Sequence, residues 1–239
     1  MIRIHCASRT TFLLALVGLA SWSARAQTSV AASLYGAFSG STTAPSTSNA
    51  PGGALLSPSS AAGALIELRH ISNPLVGYEA TYAYNRANQS EIVTTATPPP
   101  CPTTNCIPSD NLTVAIPANA HALTGDWIVS AKVLHLRPFA LAGGGVLFHV
   151  PTVSTVPTPY IACVGTVCER GTTNVSTNTQ TKGVFVYGVG VDWGLLPHMG
   201  LRLQYRGNVY KLSSLLKGYS SDSAFTHTAE PMLGLYFRF

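Results

Sequence analysis

The chain has 239 residues and a formal charge of +5, yet only 10% of it is Asp, Glu, Lys or Arg. Three of the basic residues, Arg3, Arg9 and Arg25, fall in the first 26 positions; the remainder carries 11 basic against 9 acidic side chains, a balance that gives no basis for a nucleic-acid partner. Soluble domains average about 25% charged residues, so this composition is poorly suited to covering a surface that faces water.

Residues 1–26 read as a cleavable secretory signal, with Arg3 and Arg9 ahead of an apolar run from Thr11 to Ala20 and an A-x-A site at Ala24-Arg25-Ala26. The run is too short to cross a bilayer as a helix. Cys6 precedes it, so a lipoprotein anchor is not expected. Residues 27–239 are then expected to form a single domain.

No stretch of that domain sustains helical periodicity. Alternation with period two recurs instead and predicts eight strands, at 29–40, 61–71, 76–86, 118–130, 137–150, 182–194, 200–212 and 227–239. In the third, Val76, Tyr78, Ala80, Tyr82 and Tyr84 oppose Gly77, Glu79, Thr81, Ala83 and Asn85. In the seventh, Leu201, Leu203 and Tyr205 oppose Arg202, Gln204 and Arg206. The polar face carries Gly, Ala, Thr, Ser and isolated charges rather than the many Lys and Glu of a solvated sandwich, which is how the lumen of a small barrel reads. A soluble β-sandwich is the rival fold.

The connections alternate in length. Short turns are expected at 72–75, 131–136 and 195–199, and long Pro-, Ser- and Thr-rich loops at 41–60, 87–117, 151–181 and 213–226. Cys101 with Cys106, and Cys163 with Cys168, fall in the second and third long loops. Disulfides, preferably local, are the expected reading in an exported chain. No His stands at ligand spacing to make either pair a zinc site, and no metal or cofactor is expected. Aromatic residues suggest two girdles: Trp193, Phe139, Tyr78 and Phe239 near the short turns, and Tyr84, Phe185 and Trp127 toward the loops.

Projected inward, the strands give Glu67, Arg69, Glu79, Arg137, Asp192, Arg202, Arg206, Glu230 and Arg238 as a lumen ionic network. A lumen of eight strands is wide enough only for side chains, so near-balanced charges suggest a hydrogen-bonded plug, with an ion path through it as the alternative.

The last segment, Glu230-Pro-Met-Leu-Gly-Leu-Tyr-Phe-Arg-Phe239, resembles the closing strand of Gram-negative outer-membrane barrels. With Arg137-Pro138-Phe139 through Gly145 and Ala64 through Arg69, the chain resembles small eight-stranded porin-like barrels related to the transmembrane domain of the outer-membrane A family. That resemblance implies an all-β, up-and-down transmembrane barrel located in the bacterial outer membrane, with short periplasmic turns and long extracellular loops. Its neighbours would be outer-membrane lipids and lipopolysaccharide, and Phe237 and Phe239 would be the signal read by the barrel-insertion machinery. His70-Ile71-Ser72-Asn73 resembles the His-x-Ser-Asn signature of an outer-membrane lipid A deacylase, but it abuts Pro74 at a short turn with no acid evident to orient His70, and coincidence is the preferred reading. The function expected is therefore non-enzymatic: structural, adhesive or loop-mediated ligand binding. The alternative is a narrow channel for small or hydrophobic solutes, which would need an apolar side opening among Val146, Phe148, Val184 and Val186.

Overall fold

A computed structural model describes residues 27–45, 53–72, 75–94, 111–164, 167–218 and 225–239. Its strands are, in chain order, β1 (Gln27–Ser39), β2 (Thr42–Ala44), β3 (Ala54–Pro58), β4 (Ala61–Ile71), β5 (Val76–Arg86), β6 (Gln89–Thr94), β7 (Asn111–Ile116), β8 (Ala118–Ser130), β9 (Leu136–Pro151), β10 (Thr155–Val164), β11 (Val167–Ser176), β12 (Gln180–Gly194), β13 (Met199–Lys211) and β14 (Phe225–Arg238). Eight of them close a barrel in the order β1-β14-β13-β12-β9-β8-β5-β4, with β4 returning to β1, and every pair is antiparallel. These eight match the predicted strands to within two residues at each end.

Closure follows from the pattern. Strands that are apolar on one face cannot leave an unpaired edge where water is absent, and a closed ladder satisfies every backbone donor and acceptor within it. Strand alternation then sorts the side chains. Outward go Leu34, Ile66, Leu68, Leu123, Val129, Val189, Leu203, Leu233 and Leu235, all more than half exposed. An apolar wall this continuous is far beyond what a monomer can show to water.

Aromatic rings border the wall at both ends. At the short-turn end, Tyr78, Trp193, Phe237 and Phe239 are exposed as expected. The His70 ring packs tilted against Tyr78 at 5.0 Å between centroids, and His198 against Phe237 at 6.2 Å. Toward the long loops, Tyr82 hydroxyl meets His121 Nδ1 at 2.9 Å and Tyr187 hydroxyl meets His227 Nε2 at 2.9 Å. Two assignments change. Phe139 belongs to no girdle: it is an inward residue of β9, buried in the lumen. Trp127, 69% exposed, pairs directly with Tyr78 and so belongs to the short-turn end. β8 runs from the long-loop end to the short turn after Ser130, so a residue near its C-terminal end lies at the short-turn border.

Among the described residues, three of the four long connections carry strands. β2, β3, β6 and β7 form a four-stranded sheet, and β10 and β11 form a hairpin. Six of the eight barrel strands outlast the about 9–11 residues needed to cross hydrocarbon, β9 having 16 and β12 15. They carry the loop ends outward side by side, where short runs such as Ala54-Leu-Leu and Glu91-Ile-Val pair antiparallel with one another.

Close approach between β8 and β9 depends on Gly145, whose missing Cβ would lie 2.0 Å from the Leu123 carbonyl oxygen. Gly145→Ala is expected to push the two strands apart and cost about 1–3 kcal/mol. The measurement is urea unfolding of the refolded protein in detergent micelles, with Gly125→Ala as the silent control, since nothing lies within 4 Å of a Cβ there.

Candidate functional site: a plugged lumen under a cap

The register assembles the plug. Arg69 of β4 stands directly opposite Glu79 of β5, and Asp192 of β12 opposite Arg202 of β13. Arg69 Nε donates to Glu79 Oε2 at 2.7 Å; Arg202 Nε and Nη2 donate to Asp192 Oδ1 and Oδ2 at 2.7 and 3.0 Å. The two pairs then join across the lumen: Arg202 Nη1 donates to Glu67 Oε2 at 2.9 Å and Arg69 Nη1 to Asp192 Oδ2 at 3.2 Å, and Arg202 Nη1 lies 3.6 Å from Glu79 Oε2. Both guanidinium groups face the Phe139 ring, at 4.0 Å for Arg69 and 5.5 Å for Arg202. All five charged groups are buried. Only multiple, well-placed partners offset the desolvation of such ions.

A second layer lies farther from the short turns. Arg206 donates to the Thr124 hydroxyl, sits 3.7 Å from Asp126 and is the cross-strand partner of Glu230. Of the nine residues predicted for the network, Glu67, Arg69, Glu79, Asp192, Arg202, Arg206 and Glu230 are buried in the lumen. Arg137 and Arg238 are not in the plug. They are partly exposed at the short-turn mouth, because each lies within two residues of its strand end. Asp126 is the member the sequence reading missed, although it shares the inward parity of Thr124, Ile128 and Ser130 on β8. The interior thus holds five carboxylates and three guanidinium groups among the described residues.

Above this layer lies a cavity of about 40 Å³ between Tyr35, His149, Asn208, Tyr210 and Glu230. Its neighbourhood includes buried atoms with no protein partner, among them Glu230 Oε2, Asn208 Oδ1 and Arg206 Nη1. A space of this size and polarity suits one or a few ordered waters.

The long-loop end is closed by the segment Leu212–Leu216, which is wholly buried. Glu91 of β6 fastens it: Ser214 Oγ donates to Oε2 at 2.6 Å, and Leu215 N to Oε1 at 2.8 Å. Gln89 Nε2 donates both to Glu91 Oε1 and to the Ser213 carbonyl, and Gln180 Nε2 to the Ser214 carbonyl at 3.3 Å. Leu215 and Leu216 pack with Val114 and Ile116 of β7 and Val156 of β10. Burial pushes the Glu91 carboxyl above the usual carboxylate range, and the donors from Ser214, Leu215 and Gln89 pull it back only in part.

The remaining sequence candidates separate. His70 faces outward and its Nδ1 meets the Thr28 hydroxyl at 3.0 Å; Asn73 lies outside the described residues. Val184 and Val186 point into the lumen while Val146 faces out, so they do not line one side opening. Cys163 and Cys168 are direct partners in the β10–β11 register. Cys101, Cys106 and residues 1–26 lie outside the described residues.

No family model matches the chain, and no curated protein does. Solved structures do. The outer membrane protein OprG from Pseudomonas aeruginosa is similar over 89% of this chain and 95% of its own, with 9% identity and a TM-score of 0.52. Neisserial surface protein A is similar over 90% and 97%, with 12% identity and a TM-score of 0.47. Ail, the attachment invasion locus protein of Yersinia pestis, is similar over 89% and 98%, with 12% identity and a TM-score of 0.45. The fold is that of small eight-stranded outer-membrane barrels.

Replacing Arg202 by Met should leave Glu67, Glu79 and Asp192 crowded around an apolar side chain and cost about 3–5 kcal/mol. Glu67→Gln removes an acid in excess and keeps an acceptor for Arg202, so it should stay within about 1 kcal/mol of the parent; urea unfolding in micelles compares them. At the cap the raised value of Glu91 sets the sign. Its protonated form is the one the folded cap favours, so that contribution is complete below the unfolded value of about 4.3 and is lost as pH rises through the folded one. Amide protection at Leu215 and Leu216, corrected for intrinsic exchange, should fall with rising pH in the parent and stay flat in Glu91→Gln.

Proposed function

We propose that this chain is an integral barrel of a Gram-negative outer membrane, exported behind its first 26 residues. Its work is non-enzymatic: it holds a folded β-cap outside the cell as a structural, adhesive or ligand-binding surface. The observation that carries this reading is a lumen closed twice, by the ionic plug at one end and by Leu212–Leu216 at the other. A channel needs a continuous wet path, and a side exit for hydrophobic solutes needs an apolar breach in the wall. The apolar wall with its two aromatic borders supports residence in lipid, and the short turns then face the periplasm. Phe237 and Phe239, exposed on the last strand, are the residues we assign to recognition by the insertion machinery. The pairing of Cys163 with Cys168 supports a local disulfide that stiffens the β10–β11 hairpin.

In planar bilayers the refolded protein should give no steady single-channel conductance, and Glu79→Gln should stay equally silent. Regular conductance steps from the parent protein would replace this reading with the channel. The folded form should migrate faster than the boiled form on a detergent gel. For the hairpin, thiol alkylation of the native protein should leave Cys163 and Cys168 unmodified until a reductant is added.

A further inference from the structure

A cavity of about 320 Å³ opens at the short-turn mouth, between the β8–β9 and β12–β13 turns. Lys132, His135, Arg137 and Arg238 line it, and Asp192 is the one acid of its lining among the described residues. That acid is already committed, Oδ1 to Arg202 and Oδ2 to both Arg202 and Arg69. The two arginines of the lining meet neutral groups instead. Arg137 Nη1 donates to Gln27 Oε1 at 3.0 Å, and its Nε is buried without a partner. Arg238 Nη2 donates to the Tyr236 hydroxyl at 3.3 Å and lies over that ring. Among the described residues no carboxylate, the C-terminal one included, comes within ion-pair distance of Lys132, Arg137 or Arg238.

The contrast with the plug a few residues away is sharp. There Arg69 and Arg202 each have at least two carboxylates; here a cleft collects three fixed cations around a single one, Asp192, the register partner of Arg137, which is already bound by Arg69 and Arg202. Converging guanidinium groups with free donors match the oxygens of a phosphate. The rim adds a second feature. Leu134, 85% exposed and held at a φ of 56°, stands on it with the exposed Leu195 and Leu196, and Leu136, paired with Trp193, continues onto the apolar wall. Cation-lined floor and leucine-lined lip together suit an anion attached to an apolar body.

We propose that this mouth is a binding site for a phosphate group, held by Arg137, Arg238 and Lys132. The group is carried on an anionic phospholipid of the adjoining leaflet or is free phosphate. The lipid source rests on the membrane reading above; the site itself does not.

Two arms distinguish the sources. Native mass spectrometry of the detergent-solubilised protein offered phosphatidylglycerol or phosphatidylcholine should show one phosphatidylglycerol retained with about tenfold preference. Phosphorus NMR of inorganic phosphate should show saturable line broadening on the same protein without lipid. Either signal should be lost in the double variant Arg137→Gln, Arg238→Gln and kept in Lys211→Gln at the opposite end. Phosphate broadening without lipid preference assigns the site to free phosphate. No retention and no broadening, survival of the signal in the double variant, or equal loss in Lys211→Gln would each overturn the proposal. Heat-modifiable migration verifies that the variants fold; if the double variant does not, Lys132→Gln with Arg238→Gln takes its place. A parent protein that is monodisperse without detergent would instead overturn the membrane reading and leave the phosphate arm to be read alone.

Discussion

Backbone amides and carbonyls that face hydrocarbon must find their partners within the chain, and the rest of this structure is a consequence of that demand. A sheet meets it by closing on itself. Once closed with eight strands, the barrel has a lumen too narrow to be anything but side chains, so whatever points inward has to pack and satisfy itself. The strands supply Glu, Asp and Arg there, and register decides which of them meet. Arg69 with Glu79 and Asp192 with Arg202 are neighbours by strand pairing; the contacts across the lumen then lock opposite walls together.

Such a cluster stabilises weakly on balance, since desolvation consumes most of the attraction. What it provides is specificity. Sliding any one of β4, β5, β12 or β13 by a residue would send its charges out into the apolar wall and bring wall residues such as Leu68, Tyr78, Val191 or Leu203 into the lumen. The plug thus fixes register as well as closing the bore, and the Phe139 ring between the two arginines fills the space that polar groups leave.

Much of this was legible in the residues. Alternation located all eight barrel strands, including 118–130, and the inward parity named seven of the buried charges. Asp126 carries the same parity, two residues from Thr124 and from Ile128 on the inward face of β8. Other features could not be read. Phe139 sits next to Pro138 near a strand end, where an aromatic suits a girdle as well as a lumen; only closure of the barrel decides. The four strands of the cap sheet are short, three to six residues each. Their pairing arises because barrel strands deliver their ends side by side, a cause that acts between segments far apart in sequence. The mouth cavity is likewise a property of two turns brought together, with nothing in either turn alone to announce it.

The cap also depends on the sheet that carries it. Glu91 and Leu215, which close the outer mouth, are 124 residues apart, and the strands that bring them together include the next-to-last of the barrel. Closing so wide a loop is costly in chain entropy, so the bond depends on the intervening strands to hold its two ends together. The seal is thus only as firm as the wall beneath it, and a break far down the sheet would be felt at the outer mouth.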